Sequence, residues 1–403
     1  MPYNLRWGIL GMSDNVVRNA SIELLVKLIS LSLAFVGDLL LDPTKRGVTD
    51  VTHTVVAVAS SSSKSSADSF VERLQIPAPC ATYGSYKEAV NDSNVQAIYV
   101  ASPHSHHFQH AMLALEAGKH VLCEKAFTVN AAQAKILCET AKEKGLFLME
   151  AVWTRYFPLS IQVRHLVQSG AIGEVLRVIS DLSIGDEPET SWDPSHRMIN
   201  KDLAGGALLD LGVYALTWVF QILYHTLPRS QRKEPSQIVS HMSKYPQTGA
   251  DESTTMLITF PTTTPSALSN RTSEAVAMTA FRVATDPDNR GSAGPSIQIQ
   301  GTKGHILIFG PAYGPERYRV VPSSGSGDPA TIQDVHMPIP GGARGMFWEA
   351  DEVARCLRDG KLESDTLPWE ESIAIMKVMD EVRQQGGLVY PENIESTVYP
   401  LKF

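Results

Sequence analysis

The first 150 residues most constrain the fold. Short apolar or β-branched runs at 5–10, 54–59 (TVVAVA), 97–101 (AIYVA), 120–123 and 146–149 alternate with helical stretches at 108–117 and 131–144. Parallel strands need a helical crossover between them, so this alternation predicts βαβ units around a parallel sheet. Asn130, with Gln133 three residues on, has the form of a capping box opening the second helix. After about residue 155 the pattern changes. Strand-like runs at 175–184, 238–244, 253–260, 277–283, 296–300 and 305–309 are parted by Gly-, Pro-, Ser- and Thr-rich loops at 261–265, 286–295 and 322–329. They predict an antiparallel sheet, with helices at 209–223, 345–359 and 369–385. The chain thus reads as an N-terminal doubly wound α/β domain (1–155) and a C-terminal α+β domain with an open antiparallel sheet (156–403).

Charge and cysteine usage narrow the function classes. Lys+Arg is 35 against 43 Asp+Glu, a net charge of −8. No basic run exists to neutralise phosphates, which argues against a nucleic-acid or anionic-membrane surface. Cys80, Cys123, Cys138 and Cys356 form no C-x-x-C pair, so reduced thiols in the cytoplasm are expected rather than disulfides or a zinc site. Residues 24–41 are apolar enough to raise the question of a membrane span. Lys27 and Asp38 interrupt them, and a buried or amphipathic helix is the expectation.

Ligands of a doubly wound sheet sit beyond the carboxyl ends of its strands. Ser102, Pro103 and His104 fall at one such end, and Glu124 and Lys125 at another. His104, His106, His107 and His110 lack the Glu of H-E-x-x-H and any completing Cys or carboxylate set, so no metal is expected.

The stretch 116–125 (EAGKHVLCEK) resembles the lysine motif of the glucose-fructose oxidoreductase, inositol dehydrogenase and rhizopine-catabolism (Gfo/Idh/MocA) family. Residues 150–158 (EAVWTRYFP), 205–214 (GGALLDLGVY) and 345–364 (GMFWEADEVARCLRDGKLES) resemble its dimeric dihydrodiol dehydrogenase branch, with its fungal NADP-dependent D-xylose dehydrogenases. Ala126 stands where most of the family has proline. The resemblance runs from about residue 35 to the end. It implies a homodimeric nicotinamide-dependent oxidoreductase acting on a sugar or a trans-dihydrodiol. By the same resemblance Lys125, Asp210 and Tyr214 are catalytic and His104 borders the nicotinamide, while Trp153, Arg155, Phe157 and Arg197 are expected to line the sugar pocket. Asp210 and Tyr214, four apart, would share a helix face, and Gly205 and Gly206 would let the backbone approach a ligand.

Oxidising a hemiacetal requires a base on the hydroxyl while hydride leaves the same carbon. Tyr and Lys titrate near 10 and about 10.4, so either needs a lowered pKa. The expectation is that Tyr214 takes the proton, Lys125 lowers its pKa and polarises the hydroxyl, and Asp210 orients substrate or lysine. The roles of Lys125 and Tyr214 could be exchanged. No carboxylate precedes Asp68 after the second strand. Ser60, Ser61, Ser62 and Lys64 therefore suit the 2′-phosphate of NADP better than the ribose of NAD.

One departure stands out. The first strand should lead into G-x-G-x-x-G, whose amides hold the pyrophosphate. The chain offers only Gly8 and Gly11, followed by Asp14, and residues 11–34 replace the expected loop. Either a wrong splice junction has yielded an inactive product or the chain is a divergent homologue with weakened cofactor binding. The intact downstream residues favour the first. A non-catalytic dinucleotide-binding regulator of the same fold is the alternative function.

Overall fold

The computed structural model describes residues 1–11, 31–261, 272–324 and 332–401. Strands β1 (Tyr3–Leu10), β2 (Val51–Ala59), β3 (Ala81–Tyr83), β4 (Ala97–Val100), β5 (His120–Glu124) and β6 (Leu148–Ala151) form a parallel sheet in the order β3-β2-β1-β4-β5-β6. The strand order reverses between β1 and β4, which makes that junction the ligand crevice. Crossovers are α1 (Leu31–Leu39), α2 (Lys64–Leu74), α3 (Tyr86–Val90), α4 (His107–Glu116) and α5 (Ala131–Lys144). The Asn130 side chain accepts the Gln133 N–H at the start of α5, and Gly145 ends the helix in the left-handed region. The serine tract after β2 leads into α2, whose start the Ser63 side chain caps by accepting the Ser66 N–H.

After α6 (Pro158–Gln168) the chain builds an eight-stranded sheet from β7 (Val175–Ser183), β8 (Gln237–Lys244), β9 (Asp251–Pro261), β10 (Thr272–Ala280), β11 (Ile297–Gly301), β12 (Gly304–Phe309), β13 (Arg317–Pro322) and β14 (Gln333–His336). Its order is β14-β13-β12-β11-β7-β10-β9-β8. It is mostly antiparallel, with one parallel pair, β7 with β10, that the sequence pattern did not anticipate. The strand expected at 277–283 lies at Thr272–Ala280. Helix α7 (Val213–Leu223), entered through a one-turn π segment (Leu208–Gly212), packs on β7 and β10. The stretch Lys201–Leu223 is long and apolar enough to cross a membrane, but 94% of its apolar window is buried inside the fold.

Helix α8 (Phe347–Arg358) returns to the first sheet and packs against β1, β2 and α1, whereas α9 (Trp369–Gly386) lies between α5 and β8. The Asp38 carboxylate accepts the N–H groups of Arg344 (3.0 Å) and Met346 (2.7 Å) just ahead of α8. Within α8, buried Asp351 pairs with Arg46 and with His53 Nε2 (3.0 Å). Beneath, Phe35 stacks on Tyr99 and meets Trp7 edge to face. The helix expected within 24–41 is observed as α1. Its residues before 31, most of the 11–34 replacement and most of the loops at 261–265 and 322–329 lie outside the described residues.

Candidate active site

Lys125 follows β5 at the crevice edge. Its Nζ donates to the Asp210 carbonyl (2.8 Å) and to Asp210 Oδ1 (2.9 Å), which also accepts from Arg197 Nη1 (2.9 Å). The same ammonium lies 5.1 Å from the centroid of the Tyr214 ring. Asp210 sits in the π segment and Tyr214 at the second position of α7. A π turn displaces the helix by part of a turn, and such turns recur at functional sites. Here it delivers both the carbonyl and the carboxylate of Asp210 to one ammonium. The two domains thus meet on three side chains that the sequence singled out.

Burial alone would raise the Asp210 pKa, but the Arg197 guanidinium and the Lys125 ammonium outweigh it and hold the carboxylate well below its usual range. Tyr214 behaves differently. Burial first, then the negative field of Glu124, lifts its phenol well above the ordinary value, and the hydrogen bond from Trp153 opposes that rise. The Lys125 ammonium alone thus does not bring the phenol down: burial and the surrounding carboxylates outweigh it, and a further positive charge is needed to favour the phenolate.

Trp153 Nε1 donates to Tyr214 Oη at 2.6 Å. Tyr313 stacks on the indole at 5.7 Å between centroids, and the Thr154 hydroxyl donates to the Tyr313 carbonyl. Sequence reasoning missed Tyr313, which sits in a Gly/Pro-rich turn with no motif around it. Phe157 is buried and backs this wall between Trp153 and Trp348. Arg155 corrects the pocket expectation. It is 0% exposed and pairs with Glu371 Oε1 (2.7 Å), which makes it a core ion pair and not a sugar contact. Arg197, with 38% of its side chain exposed, remains at the cleft mouth.

Gly205 and Gly206 also serve the protein itself. A Cβ on Gly205 would meet the Arg197 carbonyl at 2.5 Å, and one on Gly206 would meet Asp251 Oδ1 at 1.9 Å. Both positions are closed by neighbouring chain and not by a ligand.

At the β1 end Gly11 has φ +94°, and a Cβ there would lie 2.6 Å from the Ala101 backbone, whereas Gly8 is inside the strand against Ile98. Ser61 and Ser62 are exposed beside the start of α2, whose free N–H groups favour an anion. Ser60 is turned inward and its Oγ accepts the Ser62 N–H (3.2 Å). Lys64 is held by Asp68 Oδ1 (2.9 Å) and Thr82 (2.7 Å), a correction to its expected role as a free phosphate ligand, although an exposed pair of this kind exchanges readily. Ser102 Oγ is bonded to His110 Nδ1 (2.9 Å). His104 lies 3.7 Å from Asp210 Oδ1, and burial pushes its pKa down to about 3. Both nitrogens of His107 face carbonyls at 2.8 Å, of Ala126 and Ser102, so a neutral ring satisfies only one of them. Among the described residues no His, Cys, Asp and Glu set could hold a metal.

Two buried carboxylates complete the floor. Glu124 accepts the Tyr99 hydroxyl and the Lys125 N–H, and burial raises its pKa to about 7. Glu349 is 0% exposed and neither of its carboxylate oxygens has a hydrogen-bond partner. Uncompensated acceptors beside the crevice, serine hydroxyls without a carboxylate at the β2 end, and a lysine at the β5 end together fit a nicotinamide dinucleotide with a 2′-phosphate.

Comparison with known proteins agrees. Residues 38–152 match the GFO/IDH/MocA family model described as an oxidoreductase family with an NAD-binding Rossmann fold, and residues 160–307 match the family's C-terminal domain. The chain is 51% identical over 411 residues to a D-xylose 1-dehydrogenase (NADP(+)) of Hypocrea jecorina, covering 100% of this chain and 97% of that one. It is 32% identical over 343 residues to a trans-1,2-dihydrobenzene-1,2-diol dehydrogenase of Homo sapiens, covering 85% and 91%. Among solved structures, a 3-ketoreductase from Actinomadura kijaniata in complex with NADP and TDP-benzene superposes with a TM-score of 0.68 at 22% identity, covering 96% and 98%. An aldose-aldose oxidoreductase from Caulobacter crescentus gives 0.68 at 20%, covering 95% and 98%. At those identities the solved structures establish the fold.

Proposed function

The chain belongs to the GFO/IDH/MocA oxidoreductase family, and from that membership we propose that its cleft oxidises the hemiacetal carbon of an aldose such as D-xylose, or the carbinol of a trans-dihydrodiol, with NADP. The observation that carries this is the convergence of Lys125, Asp210 and Tyr214 from separate domains. Relatives named as dehydrogenases, 51% and 32% identical, support an enzyme over a non-catalytic regulator.

When bound, the cofactor accepts the hydride from the substrate carbon. Ser61, Ser62 and the start of α2 suit its 2′-phosphate, and His104 with Glu124 borders the crevice nearer Lys125. Two N–H donors of Lys125 are used by Asp210, and the third is available to the substrate oxygen, which it polarises. A lysine anchored this way is a donor, so the proton falls to Tyr214. With Tyr214 as the phenolate that a positively charged cofactor beside it would favour, the substrate O–H bond breaks, the tyrosine O–H bond forms and the carbon–oxygen double bond closes as the C–H electron pair departs. Arg197 keeps Asp210 ionised and faces the cleft mouth. The test is purified protein with NADP and a panel of pentoses, hexoses and a trans-dihydrodiol, followed at 340 nm. Turnover of none of them would end the proposal, as would NADP binding without turnover, which favours the regulator or the inactive product of a wrong splice junction.

The same reading includes a cytoplasmic homodimer. Four unpaired thiols suit a reducing compartment. On the free face of the eight-stranded sheet Val239 pairs with Leu257, Leu257 with Val276, and Val276 with Ile179, an apolar stripe across four strands. Val239 is 51% exposed and Leu257 48%. A second copy covering this stripe predicts a dimer by sedimentation, and a monomer for Leu257→Glu.

A further inference from the structure

We propose that Trp153 is a positioning residue for the proton transfer, its indole N–H holding the Tyr214 oxygen so that the phenol is aimed at the substrate and its anion is stabilised. This rests on Tyr214 as proton acceptor. Four observations support it. The Nε1 to Oη distance is 2.6 Å, at the short end for an N–H···O bond, and both side chains are buried, at 6% and 4% exposure. An indole can only donate, so the tyrosine oxygen must accept. With one lone pair taken by the indole, the remaining valence of the oxygen points elsewhere, and Lys125 lies over the same ring. Finally, the indole is fixed from behind: Tyr313 stacks on it with an interplanar angle of 11°, Phe157 meets its edge at 5.7 Å, and Thr154 ties down Tyr313.

The electrostatics explain why such a donor is needed. Tyr214 faces Glu124, Asp210 and Glu349, all of which oppose a phenolate. Trp153 is the neutral donor that acts against them, and its bond strengthens when the phenolate forms because charge-assisted hydrogen bonds exceed neutral ones. Trp153 is therefore more than an apolar wall for the sugar.

The experiment compares kcat, KM and the pH profile of kcat for Trp153→Phe, Trp153→His, Tyr214→Phe and the double variant Trp153→Phe/Tyr214→Phe, each checked for folding by circular dichroism. Loss of a hydrogen bond to a charged group predicts that Trp153→Phe lowers kcat by about 10- to 100-fold and moves the basic-form limb up by about one to two pH units, with KM changed little. Trp153→His, which keeps a ring N–H, should recover part of both. In the Tyr214→Phe background Trp153→Phe should add nothing further, since the acceptor is gone. An unmoved limb, or an undiminished Trp153→Phe effect in that background, overturns the inference while leaving Tyr214 as the base. Wild-type kcat in Tyr214→Phe alone overturns the proton-acceptor reading instead. Should Trp153→Phe not fold, the Trp153→His profile decides: a lowered kcat with the limb moved up by a fraction of a unit supports the inference, and a wild-type kcat and limb overturn it.

Discussion

Asp210→Asn tests the electrostatic logic of the cleft most directly. The carboxylate neutralises two cations through one oxygen, at 2.9 Å to Lys125 Nζ and 2.9 Å to Arg197 Nη1. Their fates differ once the charge is removed. Arg197 has 38% of its side chain exposed and can turn to water, whereas Lys125 has 4% and cannot. Removing one partner of a buried pair costs about 3–5 kcal/mol. The amide oxygen of asparagine and the backbone carbonyl of residue 210 still accept from Lys125, so the lower end, about 3 kcal/mol, is expected. Chemistry should suffer too, since an ammonium without its anchor no longer points at the substrate oxygen. A loss of roughly 100-fold in kcat corresponds to about 2.7 kcal/mol of transition-state stabilisation. Urea unfolding gives the first quantity and initial rates at saturating NADP and sugar give the second. An unfolding free energy within about 0.5 kcal/mol of wild type, the size of an ordinary surface change, together with unchanged kcat, would refute the reasoning.

Glu371→Gln leaves Arg155 charged in a fully buried site and should cost about 3–5 kcal/mol by urea unfolding, with KM for the sugar unchanged because the Arg155–Glu371 pair belongs to the core. Asp251 is 0% exposed and burial raises its pKa to about 6. A carboxyl whose folded pKa lies above its unfolded value gives stability that is whole at low pH and lost as pH rises towards 6. Asp251→Asn should therefore gain on wild type by about 2–3 kcal/mol between pH 4 and pH 8, read from urea midpoints; a constant difference would refute it. Gly206→Ala forces a side chain onto φ +141° and a Cβ to 1.9 Å from Asp251 Oδ1. A loss of about 3 kcal/mol or more in urea unfolding is expected, and a variant as stable as wild type would contradict the packing described.

Much of the first layer was legible because its signals are local. β-branched runs marked β2 and β4, and Asn130 marked α5 at its observed bounds, Ala131–Lys144. Helix α2 was not, since Ser60 to Ser66 reads equally as loop until Ser63 is seen to cap it. The three-residue β3 and the arginine-bearing β13 carry too little alternation to stand out. In the site, Lys125, Asp210 and Tyr214 were legible through a family pattern, but their hydrogen bonds were not. Arg155 misled for a physical reason: its partner Glu371 lies 216 residues further on, and no local pattern distinguishes a core arginine from a pocket arginine. The Trp153–Tyr214 bond, 61 residues apart, is hidden in the same way.

The return of α8 to the first sheet bears on how the polypeptide is made. β1 and β2 leave the ribosome well ahead of the helix that covers them, and the Asp351 that engages Arg46 and His53 emerges some three hundred residues later. Until then Trp7, Phe35 and their neighbours lack their final cover, and exposed apolar surface of that kind invites aggregation during synthesis. The N-terminal layer is thus completed only after most of the second sheet has been translated. A nascent chain halted before residue 347 should remain bound to chaperones and sensitive to protease, whereas one released after α8 should not.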